Sequence, residues 1–322
     1  MLAVVGQQVP FDQGRQQMKL LADLEVTTKA VERTAEAIGE QIAAGEQNEI
    51  RRAIQLDLPL VLAKPVPILY VEMDATGVPV VKKETVGRRG KIEGQPAHAR
   101  DAKLGCVFTQ TRWDEDGYAI RDPDSTTYVG AIETAEEFGK RLYLEAWKRG
   151  WSRAAKKVVL GDGAEWIWNL AEQHFPGAVQ IVDLYHARQH LEAVGRLALG
   201  SGTAAATAWV AARRDELDDG DIDVIIAEIN TLPAASDPNR QDELRKEAEY
   251  FETNKLRMCY KHFRSRGFFV GSGVVEAGCK TVIGHRLKQS GMRWTVAGAN
   301  AIIALRCRLL GNRWEDLWRS AA

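Results

Sequence analysis

Three acidic residues follow short apolar runs far apart along the chain. Asp74 closes the apolar run Ile68-Leu69-Tyr70-Val71-Glu72-Met73. Asp162 follows Val158-Val159-Leu160-Gly161, and Glu276 comes shortly after Phe268-Phe269-Val270. Three carboxylates meeting at one spot repel each other unless a cation neutralises them. Hard oxygen donors with open positions select Mg²⁺ or Mn²⁺. Two such ions about 3.5–4 Å apart activate a water or hydroxyl and stabilise the leaving oxygen of a phosphodiester. The expected cofactor is therefore a pair of Mg²⁺ or Mn²⁺ ions on Asp74, Asp162 and Glu276. Any one of these acids alone reads as a cap or a surface charge. Asp74 and Asp162 at two strand ends read as a site.

Asp183 and His186 form a second constellation. At i and i+3 across a strand-to-helix junction they face one way. They either orient a metal ligand or hold a DNA strand from one step behind the metal, or clasp the fold beneath a helical insertion. Zinc fits less well, because no second Cys/His pair sits nearby. Phosphate contact is expected from two basic stretches. Lys82, Lys83, Arg88, Arg89, Lys91, Arg100 and Lys103 crowd a Gly-rich stretch after Asp74. Arg286, Lys288, Arg293, Arg306, Arg308, Arg313 and Arg319 dominate the tail. Trp294 in that tail either stacks on a base or packs in the core. Trp166 and Trp168 read as core.

The elements that must position these groups emerge from hydrophobic period and breakers. Ile68–Asp74 reads as a strand, Thr76-Gly77 as a turn, and Val78–Val81 as its continuation. Ala102–Trp113 and Thr127–Ile132 read as strands, and Thr134–Arg149 as a helix. Strand, helix, strand and helix then run from Lys156 to Leu191. The first three strands suit an antiparallel meander, and the later ones add as βαβ units. That is the order of a ribonuclease-H-like domain, an α/β mixed sheet flanked by helices. In it the first and fourth strands adjoin, so Asp74 and Asp162 share a rim. Residues 191–266 lack strand signals and read as an all-α insertion between 61–190 and 267–322. Ser272 suits an N-cap ahead of Glu276. Residues 1–60 read as a helical region, with Thr28–Ile38 at helix-turn-helix spacing and a plain αα-hairpin as the alternative.

Composition sets the bounds. The chain has 322 residues, 45% hydrophobic and 27% charged, an ordinary globular balance. Cys106, Cys259, Cys279 and Cys307 form no CxxC and read as reduced thiols. No apolar run is long enough to span a membrane, and the N-terminus lacks a secretion signal. The net charge is −1, so a nucleic-acid partner requires basic residues sorted onto one face.

Three stretches carry a family resemblance: YVEMDATGVPVV around Asp74, VVLGDGAEWIWNLAEQHFPGAVQIVDLYHARQHL around Asp162 and Asp183, and GSGVVEAGCKTVIGHRLKQSGMRW around Glu276. The chain resembles bacterial insertion-sequence DDE transposases of the ISKra type, related to Mutator-like transposases, over roughly residues 60 to 320. The resemblance implies that Asp74, Asp162 and Glu276 are the DDE triad. It implies that Asp183 and His186 are the family's C/D(2)H signature, and that a helical insertion precedes the final Glu. Relatives carry more chain upstream, so a truncated DNA-binding region is expected at the N-terminus. The expected activity is hydrolysis at the element's ends followed by attack of the 3′-hydroxyl on target DNA. The expected partners are double-stranded DNA and a second copy of the chain in a homodimeric synaptic complex. The expected location is cytoplasmic, on the nucleoid. The rivals are a ribonuclease-H-like nuclease without strand transfer and an inactive or domesticated DNA-binding protein.

Overall fold

A computed structural model describes residues 1–61, 64–90, 97–232 and 237–316. Five strands form the central sheet: β1 (Ile68–Pro79), β2 (Ala99–Gln110), β5 (Thr127–Ala131), β6 (Lys156–Gly161) and β7 (Val179–Val182). A separate ribbon pairs β3 (Arg112–Trp113) with β4 (Ala119–Ile120). The sheet order is β5-β2-β1-β6-β7. β1, β2 and β5 are antiparallel neighbours, whereas β6 joins β1 and β7 joins β6 in parallel. The meander and the βαβ additions expected from the apolar runs are both present.

One expected turn is absent. Thr76-Gly77 does not reverse the chain. β1 runs straight through it, with Gly77 opposite Asp101. A partner strand long enough to satisfy both residues removes any need to turn.

Strand alternation decides which face the acids take. Leu104 lies opposite Asp74 and Cys106 opposite Glu72. An added Cβ on Gly278 would meet Leu104, whereas one on Gly105 would meet Phe138 and Leu142. So Glu72 and Asp74 face the C-terminal helices, and the odd-numbered neighbours face α4 (Ala135–Lys148). Thr134 and Glu137 close a capping box at the start of α4. α5 (Glu165–His174) packs beside α4, where Trp166 meets Phe138 edge-on and Trp168 is buried.

The other face is covered by a long helical run. It begins as α11 (Gly273–Gly278), widens into a π-type segment (Cys279–Gly284), and resumes as α12 (His285–Leu287). α13 (Val296–Leu310) comes next, with Ile302, Ile303 and Leu305 fully buried. The insertion is all helix: α6 (Leu184–Leu199), α7 (Ala204–Asp219), α8 (Ile222–Thr231), α9 (Pro238–Asn254) and α10 (Tyr260–Ser265).

The N-terminal helices are α1 (Leu2–Gln8), α2 (Phe11–Ala22) and α3 (Thr28–Ile54). Thr27 caps α3, accepting the Ala30 N–H at 3.0 Å. The helix expected to end at Ile38 runs 27 residues instead. It buries Val31, Ala35, Gly39, Ile42 and Ile50 along one seam. At Gly39 it lies so close to Ala301 of α13 that an added Cβ would overlap the Ala301 backbone. Ala3, Ala35 and Ile42 belong to the same apolar core as the strands. Among the described residues no helix is long and apolar enough to cross a membrane.

Candidate functional site

β1 and β6 run side by side in register, with Glu72 opposite Leu160. The pairing ends there: Asp74 lies two residues further along β1, and Asp162 lies just past the end of β6 at Gly161. Asp74 is half-buried. Its Oδ1 accepts the Ala75 N–H at 2.6 Å. Burial raises its carboxyl above the usual range and the Asp162 charge adds to this, against hydrogen bonds from Ala75 and Cys279. Asp162 opens the turn after β6 and accepts the Ala164 N–H at 2.9 Å.

Asp183 ends β7 and caps α6. It is completely buried. One oxygen accepts the His186 N–H at 2.8 Å and lies 3.2 Å from His186 Nδ1. The other accepts the Ser272 N–H. Burial alone would push this carboxyl up, but the His186 and Ser272 hydrogen bonds outweigh it and hold it low. Both oxygens thus serve the backbone, and Asp183 acts as a clasp between α6 and the loop before α11. His186 is half-exposed beside it. The Asp183 hydrogen bond raises its pKa against burial, with Asp162 and Glu276 adding to the rise.

Glu276 sits in the first turn of α11. Its Oε1 lies 3.9 Å from His186 Nδ1 and 3.4 Å from Ser272 Oγ. Ser272 makes no side-chain cap to α11, contrary to expectation. Its N–H goes to Asp183 and its hydroxyl turns to Glu276 instead. Among the described residues, Asp183, His186 and Glu276 offer ligand atoms that all lie within 4.8 Å of one another. Asp74 and Asp162 stand outside that tight set. They join it electrostatically, since Asp74 feels Asp162 and His186, and His186 feels Asp162 and Glu276. Burial is the main cause of the lift on Asp74, and the Asp162 charge adds to it; a hard divalent cation nearby would favour the ionised carboxylate.

The two basic stretches meet at the outer tip of β1. The Val81 N–H donates to Trp294 O at 2.9 Å, and the Trp294 N–H to Pro79 O at 3.1 Å. Lys288 reaches Thr76 Oγ1. Lys82, Lys83, Arg88, Arg89, Lys288 and Arg293 are exposed. Lys91, Trp318 and Arg319 lie outside the described residues.

Several expected phosphate contacts are corrected: Arg306 is buried on backbone carbonyls, Arg308 pairs with Glu46 and Arg313 with Glu145, and Arg286 and Trp294 are also buried. Arg286 is 1% exposed and donates from Nε to Gly6 O at 3.0 Å. Its guanidinium lies 4.6 Å from the Phe11 ring and 4.9 Å from the Trp294 ring. Trp294 is 7% exposed, with Nε1 bound to Leu287 O at 3.1 Å. Both side chains are spent on holding α1 and α2 to the fold, so neither offers a surface to DNA.

Residues not singled out from the sequence also shape the site. Cys279, one turn beyond Glu276, bonds to Asp74. Tyr250 reaches Asp162 from the insertion. Glu72 is completely buried, and its Oε2 accepts the Val275 N–H at 2.9 Å, pinning α11 to β1. Its place two residues before Asp74 put it on the same strand face, which was the available signal. Its Oε1 has no hydrogen-bond partner.

Burial pushes the Glu72 carboxyl up to about 8. Below the ordinary value of 4.5 both the folded and the unfolded chain hold this proton. Between 4.5 and about 8 only the folded chain keeps it, so stability falls as pH rises through that window. Glu72→Gln keeps the acceptor for Val275 and removes the titration. In EDTA its urea midpoint should vary less with pH than that of the native chain. It should be more stable at about pH 8 by a few kcal/mol. Equal pH slopes for the two proteins would sink this assignment.

No protein-family model matches the chain, and no curated protein matches it.

Proposed function

We propose that this chain is the catalytic part of a DDE transposase on a ribonuclease-H-like fold. It would act on double-stranded DNA, cleaving at an element's ends and joining the 3′-hydroxyl to target DNA. The observation that carries this reading is that Asp74 on β1 and Asp162, just past the end of the adjacent parallel strand β6, lie near enough for the Asp162 charge to act on Asp74. Glu276 is on the helix covering the same face. The strand order and senses support the fold assignment.

Asp74, Asp162 and Glu276 would hold divalent cations, Mg²⁺ or Mn²⁺, beside the scissile phosphate. When bound, such cations supply Lewis acidity and make water or a hydroxyl nucleophilic near neutral pH. The chain's own groups do the rest. Asp183 fixes His186 and, by its hydrogen bond, favours the protonated ring, with Asp162 and Glu276 adding to this. Glu72 fixes the start of the helix bearing Glu276. Lys82, Lys83, Arg88, Arg89, Lys288 and Arg293 hold phosphates at the tip of β1. Two ends must meet during transposition, so the active form is a homodimer on DNA.

The test is strand transfer. A pre-cut duplex end with a free 3′-hydroxyl is incubated with supercoiled plasmid and Mn²⁺. Joined product is the expected result. Nicking without joining would make the chain a nuclease. Salt-sensitive DNA binding with neither reaction would leave a DNA-binding protein and overturn the enzymatic reading.

A further inference from the structure

One side chain of the helical insertion is hydrogen-bonded to the turn that carries Asp162. Tyr250 of α9 donates its hydroxyl hydrogen to the backbone carbonyl of Asp162 at 2.9 Å. Its ring stacks on His190 of α6, with centroids 3.6 Å apart and planes at 20°. His190 Nδ1 lies 2.6 Å from Glu247 Oε2, one turn before Tyr250 on the same helix. Two side chains of α9 therefore grip one residue of α6, and the tyrosine ring is held in place.

The turn beneath it is built to receive that ring. Gly163 has φ +101°, a conformation other residues adopt only under strain. An added Cβ there would overlap the Tyr250 ring. The hydroxyl fixes the carbonyl of Asp162, and the ring closes over Gly163. The Asp162 carboxylate is meanwhile anchored at Ala164 N–H, 2.9 Å away. Both ends of this one residue are tied, one by its own helix and one by the insertion. Burial holds the tyrosine hydroxyl protonated, with the Asp162 charge reinforcing it, so it stays a donor.

We infer that Tyr250 is a positioning residue for Asp162. It locks the turn that presents the carboxylate and makes divalent-cation binding depend on docking of the insertion. The inference rests on the cation-holding role of Asp162 proposed for the site. Tyr250 itself need touch neither cation nor DNA.

The probe is Mn²⁺ alone, titrated into the full chain by calorimetry and by electron paramagnetic resonance. Tyr250→Phe keeps the ring and its stack and removes only the hydroxyl. It should weaken Mn²⁺ binding by about 3- to 10-fold, the scale of one lost hydrogen bond. DNA affinity should stay as in the native chain, and saturating Mn²⁺ should restore joining. Native Mn²⁺ affinity in Tyr250→Phe would overturn the inference while leaving the cation site standing. A native chain that binds no Mn²⁺ would overturn both. Should Tyr250→Phe lower the urea midpoint, His190→Ala decides, because it frees the ring without removing the hydroxyl. Weakened Mn²⁺ binding there supports the inference, and unchanged binding overturns it.

Discussion

Asp162→Asn is expected to lower Mn²⁺-dependent joining by at least about 10³-fold, with duplex binding retained. The magnitude comes from the several kcal/mol of transition-state charge stabilisation a divalent cation contributes, at about 1.4 kcal/mol per factor of ten. Asparagine keeps a side-chain oxygen that can accept the Ala164 N–H, so the turn should survive. What is lost is one negative charge in a cluster of carboxylates. Asp74→Asn and Glu276→Gln should do the same. DNA affinity should stay within about twofold, because the exposed cations at the tip of β1 are untouched. Gel shift in Ca²⁺ and joining in Mn²⁺ separate the two effects. A variant that loses binding and joining together would place these acids in the fold instead of the chemistry. A variant that joins at the native rate would remove them from the site.

Arg306→Leu is expected to destabilise the chain by about 3–5 kcal/mol, because one buried side chain serves four acceptors. Arg306 is 6% exposed. Its Nε donates to Val282 O at 2.6 Å, one terminal nitrogen to Gln7 O at 2.6 Å and Gln7 Oε1 at 3.0 Å, and the other to Thr281 O. Thr281 and Val282 lie in the π-type segment, where the widened turn leaves carbonyls needing donors. Gln7 lies in the last turn of α1, where carbonyls lack intrahelical partners. One buried guanidinium serves both. Each acceptor left unpaired costs roughly 1–3 kcal/mol, and some of that is recovered by water entry. Urea unfolding measures the change, with Arg293→Leu as an exposed control expected to stay within about 0.5 kcal/mol. A native midpoint for Arg306→Leu would show that the strut carries no weight.

Much of the site was legible because its signals are local. Short apolar runs ending in Asp marked β1 and β6. The helical insertion showed itself by lacking strand signals. Other features depend on partners far along the chain. Thr76-Gly77 reads as a turn until β2 is known to pair with it. α3 reads as ending at Ile38, because small residues and glutamates dilute its seam before Ile42 and Ile50 resume it. Arg286 reads as a phosphate contact because its acceptor, Gly6 O, is 280 residues away. Tyr250 sits among charged residues on α9 and gives no hint of the Asp162 carbonyl 88 residues upstream. Of the tight Asp183–His186–Glu276 grouping, the Asp183–His186 half was legible from its i, i+3 spacing, whereas Glu276 joins it from α11, far along the chain.

The close seat of α3 on α13 has a bearing on synthesis. Gly39 leaves the ribosome 262 residues before Ala301, yet their backbones are adjacent in the folded chain. The sheet face that awaits α13 stays wet and apolar while the strands and the whole insertion are being made. A newborn chain therefore carries a sticky surface through that interval of synthesis, the circumstance in which chaperones bind and aggregation starts.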